Sequence, residues 1–134
     1  MYSMKEVCEM TGLGYESLKF YCNEGLIPDV KRDKNNYHVF SDNDIRWIKS
    51  LGCLKKCGMT IAKMKAYVRL CIEGESTIPE RTRLLDERGE MIMEKIKELE
   101  KAVVYIDWKK SFYASVLSGE IDYNRPIEIP EKVL

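Results

Sequence analysis

Ser17-Leu18-Lys19-Phe20-Tyr21-Cys22-Asn23-Glu24-Gly25-Leu26-Ile27-Pro28 is the stretch on which the reading of the fold turns. Leu18 with Tyr21 or Cys22 makes one apolar stripe at helical spacing, so a helix is expected from about Tyr15 to Glu24. Gly25 then stands where helices commonly end, because glycine enters the left-handed region without a Cβ penalty. Upstream, Ser3 followed by Glu6 is a capping box that opens an earlier helix with Val7 and Met10 facing inward. Thr11-Gly12-Leu13-Gly14 separates the two, and Gly12 has the freedom that a tight turn needs. Two short helices about a glycine turn make a helix-turn-helix, a motif shared by many unrelated folds.

Downstream, Val30 and Tyr37-His38-Val39-Phe40 flank the turn-prone Asp33-Lys34-Asn35-Asn36. β-formers around Asn-Asn predict a hairpin between Pro28 and Ser41, since asparagine tolerates positive φ. Lys31, Arg32 and Lys34 lie at its tip. A basic hairpin directly after a helix-turn-helix has the character of a DNA-contacting wing. Ser41 with Asp44 opens a third helix, whose inner face is Ile45, Ile48, Leu51 or Gly52, and Leu54 or Lys55, and Gly58 ends it. Thr60 caps a fourth helix carrying Ile61, Met64, Val68 and Leu70 or Cys71, closed by Gly74.

Thr77-Ile78-Pro79-Glu80 reads as another capping box, with proline in the permissive first turn. From Ile78 to about Ala114 only Gly89 opposes the helix, at a cost of about 1 kcal/mol. Ile92, Ile96, Leu99, Val103 and Ile106 alternate spacings of four and three, the pattern of a coiled-coil seam. A head this small cannot cover a helix roughly 55 Å long. The simplest partner is the same helix of a second copy. Tyr105, Trp108, Phe112, Tyr113 and Tyr123 gather near its end and are expected to anchor the tail, with a small-ligand pocket as the other possibility. Asn124-Arg125-Pro126 and Pro130 predict an irregular end to the chain.

Composition narrows the classes further. The 134 residues carry a net charge of +0, yet residues 31–72 hold ten Lys/Arg against three Asp/Glu. Such a basic block in a neutral chain suits a phosphate-facing surface, through counterion release. Five cysteines, an odd and irregularly spaced set, argue against a secreted disulfide framework. The sequence has no run of about 18 apolar residues and no signal-peptide pattern, so the expected home is a reducing cytoplasm without membrane attachment. One histidine, no glycine-rich phosphate loop and no zinc-type cysteine spacing predict neither an enzyme nor a cofactor.

In this order the elements resemble the mercury-resistance-regulator (MerR) family. The resemblance is carried by Met4-Lys5-Glu6-Val7-Cys8-Glu9-Met10-Thr11-Gly12, by Ser17-Leu18-Lys19-Phe20-Tyr21 with Glu24-Gly25-Leu26-Ile27-Pro28, by Asn36-Tyr37-His38-Val39-Phe40-Ser41, and by Leu54-Lys55-Lys56-Cys57-Gly58-Met59-Thr60-Ile61. It implies a mainly α fold: a winged helix-turn-helix head with a small β-hairpin wing over 1–74, a long antiparallel coiled-coil dimerisation helix over 75–114, and a short tail over 115–134. It further implies a bacterial transcriptional regulator that docks on a palindromic promoter as a homodimer. By bending and untwisting the duplex, such a dimer affects RNA polymerase indirectly.

Carried over by position, DNA contact is implied for Tyr15, Ser17, Lys19, Phe20, Tyr37, His38 and Lys55 or Lys56, beside the wing cations Lys31, Arg32 and Lys34. Lys19 and Phe20 stand where the family has Arg-Tyr, and His38 where it usually has Arg, so the charge there is weaker except below about pH 6.5. Asn36 replaces the usual wing glycine. These departures keep open a different outcome, a protein-binding adapter or chaperone modulator built on the same head.

Metal-sensing relatives place Cys or His around the long helix, and this chain has neither after residue 71, so no metal is expected. Short-tailed members that respond to oxidants or reactive electrophiles carry a cysteine where Cys53 stands. Lys49, Lys55 and Lys56 would favour its reactive form, and Cys57 follows one turn later. The alternative for both is a small packed side chain, the reading given also to Cys8, Cys22 and Cys71.

Overall fold

The computed structural model describes all 134 residues. The first compact unit, Met1–Arg88, begins with α1 (Met4–Thr11) and α2 (Tyr15–Asn23). Ser3 and Glu6 form the full capping box at the start of α1, and Gly12 ends it at φ 75°. After α2 the chain reverses at Gly25, φ 70°, where Leu26 N–H donates to the Tyr21 carbonyl and Gly25 N–H to that of Cys22. That paired closure is the Schellman arrangement the glycine makes possible.

The wing is β1 (Lys31–Arg32) against β2 (His38–Val39), antiparallel, with Lys31 opposite Val39 and Arg32 opposite His38. Its tip is held from within. The Asp33 carboxylate accepts from the Asn35 and Tyr37 amides, and Arg32 donates to the Asn36 carbonyl. Asn36 takes the positive φ, 66°, that a glycine would have taken. The ladder is shorter than the alternation suggested. Tyr37 belongs to the turn, and Phe40 pairs outside the hairpin, exchanging two backbone hydrogen bonds with Tyr2.

α3 (Asp42–Lys56) starts at the Ser41–Asp44 capping box, and α4 (Ile61–Glu73) at Thr60. The core is Val7, Leu18, Tyr21, Leu26, Ile27, Phe40, Ile45, Ile48, Leu51, Leu54, Met59, Met64 and Val68, with Cys8 and Cys22 packed against it. Burial pushes the Cys22 thiol up to about 11 and raises that of Cys8 as well, so both are held as inert thiols. Trp47 indole N–H, 2.8 Å from the Leu26 carbonyl, ties α3 to the segment before the wing.

Tyr21 brings a hydroxyl into this core with no hydrogen-bond partner. Such a group forfeits its hydration without replacing it. Tyr21→Phe is therefore expected to leave stability unchanged or raise it by up to about 1 kcal/mol in denaturant unfolding. A loss of more than about 1 kcal/mol would show that the hydroxyl finds a partner in solution.

A 3₁₀ turn, Glu75–Thr77, leads into α5 (Ile78–Leu117). Here the expected capping box is corrected. Thr77 hydroxyl does not receive the Glu80 amide; its single proton faces the carbonyls of Leu70 and Gly74 together, and its oxygen accepts from Arg81 Nε. Both carbonyls already accept a backbone N–H, Leu70 from Gly74 and Gly74 from Thr77, and the buried hydroxyl adds a second donor at the end of α4.

The second unit, Gly89–Leu134, is the rest of α5 and the tail. Nothing along α5 is buried, and Ile96, Leu99, Val103 and Ile106 are 41%, 58%, 55% and 54% exposed. Tyr105, Trp108, Phe112 and Tyr113 contact one another in series along the helix, with Lys109 ammonium over the last three rings. Tyr123 stands exposed, outside that series. The tail's buried anchor is Val133 instead, in a final 3₁₀ turn beside Lys97, Lys101 and Val104. No helix is long and apolar enough to cross a membrane.

Candidate nucleic-acid interface

One groove on the first unit gathers side chains that were far apart in the sequence. The start of α1 supplies Ser3 and Lys5, the exposed face of α2 supplies Tyr15, Lys19 and Asn23, and the wing supplies Arg32, Asn36, Tyr37 and His38. α2 buries Leu18 and Tyr21, so helical geometry turns Tyr15 and Lys19, four residues apart, outward together. Across the hairpin, Arg32 is registered opposite His38, which sets both at the same level of the wing. Tyr37 is 71% exposed, a large apolar ring with nothing over it.

Of the residues expected from sequence, Tyr15, Lys19, Arg32, Tyr37 and His38 therefore converge. The others do not line this groove. Ser17 is half-buried, and Phe20, 42% exposed, leans toward Tyr21 with ring centroids 6.5 Å apart. Lys31 faces a separate hollow with Pro28, Asp29 and Trp47, and Lys34 is exposed at the tip. Lys55 and Lys56 flank a third hollow beside Thr11, Gly12 and Cys53. Lys5 and Asn23 were missed by sequence reasoning. Each lies on the outer face of its helix, but only the docking of wing against α1 and α2 makes that face part of a groove.

The electrostatics favour an anion. Lys5, Lys19 and Arg32 bring three cations to the groove, while the positive pole of α1 is already met by the Ser3 and Glu6 capping box. His38 adds no charge near neutral pH. Burial, and then the Arg32 guanidinium, lower its protonation below the usual histidine range. Cations beside an exposed aromatic ring suit a phosphate backbone with a sugar or base edge. Cys53, on α3, and Cys57, its C-cap, are both exposed in the single chain. No group of His, Cys, Asp and Glu is placed to hold a metal ion.

Comparison with known proteins gives a consistent result. The sequence profile of the MerR HTH family of regulatory proteins matches residues 2–71. An uncharacterised HTH-type transcriptional regulator of Haemophilus influenzae is 33% identical over 132 residues, 97% of each chain. The crystal structure of HiNmlR, a MerR-family regulator lacking the sensor domain and bound to promoter DNA, is similar at a TM-score of 0.74 with 32% identity. That match covers 87% of this chain and 93% of the other. A MerR-family transcriptional regulator from Bacillus thuringiensis matches at TM-score 0.69 with 28% identity, covering 84% and 98%.

Proposed function

Since the chain belongs to the MerR family of HTH regulatory proteins and is a transcriptional regulator rather than an enzyme, we propose that it acts as a homodimer on a palindromic promoter and distorts the duplex between the half-sites. The observation that carries this reading is the groove joining α1, α2 and the wing, with Lys5, Lys19 and Arg32 around the exposed Tyr37. The similarity to a regulator seen on promoter DNA supports it. So do the uncovered seam residues of α5, which suit a second, antiparallel copy. Any effect on RNA polymerase then passes through the shape of the DNA, and no cofactor or metal takes part.

In this reading Lys19, Arg32 and Lys5 position the protein on phosphates, and Tyr37 packs on the backbone at the wing. Lys55 and Lys56, in the last turn of α3, hold a further phosphate, with Lys31 and Lys34 adding a weaker field from the wing. Cys53 senses an electrophile or oxidant, since it is exposed between Lys49 and Lys56 at the rim of the hollow beside Gly12.

The test is titration of the full chain against labelled DNA from its own upstream region at several salt concentrations. Lys19→Ala and Tyr37→Ala should each weaken binding on the order of tenfold, and only Lys19→Ala should reduce the salt slope, by about one. An oxidant response that disappears in Cys53→Ser names the sensor. If the wild type binds random DNA as well as its own upstream region, the regulator reading fails and a protein-binding adapter takes its place.

A further inference from the structure

Arg88 lies in the third turn of α5, and its Nε donates across 31 positions of sequence to the carbonyl of Cys57, at the end of α3. A helix leaves its last carbonyls unmet and is negative at that end, so a cation is well placed there. The next residue is Gly58, at φ 78°. A Cβ built on it would stand 2.7 Å from Arg88 Nη2 and 3.2 Å from Cζ. The guanidinium therefore rests against the bare α-carbon, and a Cβ there would make the arginine's flexible end shift, while the turn itself favours glycine at this φ.

The turn so held is compact. Gly58 N–H donates to the Lys55 carbonyl at 2.9 Å and Met59 N–H to that of Leu54 at 3.2 Å, while Leu54 and Met59 are both buried. The residues it carries outward are Lys55 and Lys56. Their ammonium groups end flexible four-carbon stems, so where they meet a phosphate depends on where their backbone is fixed. The last turn of a helix frays unless something tethers it. Arg88 is such a tether, and it comes from the helix that goes on to carry the apolar seam.

We propose that Arg88 is a positioning residue for DNA binding: by latching the Cys57–Gly58 turn it holds Lys55 and Lys56 where they meet the phosphate backbone. This rests on the DNA-binding reading above. Arg88 itself does not touch the DNA. Its effect is exerted through the two lysines and vanishes when they are absent.

The experiment is a double-mutant cycle on the full-length protein, with a duplex from its upstream region as the probe. Arg88→Ala is expected to lower affinity about fivefold and to reduce the salt slope by about one, the signature of one lost phosphate contact. In a Lys55→Ala, Lys56→Ala background the same change should alter affinity less than twofold. Gly58→Ala displaces the guanidinium while keeping every charge, although it also strains the turn at its positive φ, and should reproduce the loss. If Gly58→Ala does not fold, the Arg88 cycle alone decides.

Equal losses in both backgrounds would mean that Arg88 acts independently of the lysines, and would overturn the proposal. So would undiminished binding by Arg88→Ala. A Lys55→Ala, Lys56→Ala protein that binds like wild type overturns it at the lysines, leaving the groove reading intact. A wild type that shows no preference for its own upstream DNA overturns the larger reading at the first measurement.

Discussion

If α5 pairs two copies as proposed, an Ile96→Asp, Leu99→Asp protein is expected to run as a monomer where the wild type runs as a dimer, and to bind its promoter at least about a hundredfold more weakly. α5 buries no residue, and the two substituted side chains are 41% and 58% exposed in the single chain. Fully burying an exposed side chain of this kind contributes about 1.5–3 kcal/mol; these two are partly covered already, so each gains a fraction of that, and a symmetric pair gains it in both copies. Replacing them with aspartates removes that gain and brings like charges together in a partly dry seam, where their desolvation is unfavourable. Two heads linked through α5 bind a palindrome with the advantage of effective concentration, on the order of 10²–10⁴. Separate heads lose it. Sedimentation velocity and a DNA titration on the same preparation check both halves. Glu94→Ala, Glu98→Ala, changed off the seam, should remain dimeric and bind normally. A dimeric, tightly binding aspartate variant would place the interface elsewhere.

The second large effect concerns stability. Phe40→Ala should cost about 3–4 kcal/mol, a substantial part of the roughly 5–15 kcal/mol that holds a domain folded. Phe40 is 0% exposed, and its backbone exchanges hydrogen bonds of 2.7 and 2.8 Å with Tyr2. Its ring thus closes the core at the point where the wing leaves it, and truncation opens a cavity that rigid neighbours cannot refill. Denaturant unfolding should show a lower midpoint with an unchanged slope. Tyr37→Ala, three residues earlier and 71% exposed, should move stability by less than about 0.5 kcal/mol while weakening DNA binding. If Phe40→Ala lost less than about 1 kcal/mol, the wing would not be seated on this core.

These two positions also divide what a reader of sequence can and cannot see. The seam of α5 was legible because its signal is local and repeated: Ile92, Ile96, Leu99, Val103 and Ile106 recur at alternating spacings of four and three. The caps were legible for the same reason. Ser3–Glu6 and Ser41–Asp44 are reciprocal hydrogen bonds within four residues, so the residue types alone specify them. Gly12, Gly25, Gly58 and Asn36 mark left-handed turns because backbone sterics admit few other residues there. On Thr77 the same local reasoning failed. The pattern of a capping box was present, yet the hydroxyl turns back to the Leu70 and Gly74 carbonyls at the end of α4.

The sequence by itself therefore determined the helices, most of their ends, the wing and its cations, and the apolar stripe of α5, all of which follow from interactions spanning one or two turns. Only the tertiary structure decided which outward residues stand together. It set Lys5 and Asn23 beside the wing, moved Lys31 and Phe20 out of the groove, paired Tyr2 with Phe40, and brought Arg88 to Cys57. The physical reason is range. A hydrogen bond four residues away is written in the backbone's geometry, but a contact across 31 positions exists only after burial of Leu18, Phe40, Ile48 and Met64 has fixed how the elements pack.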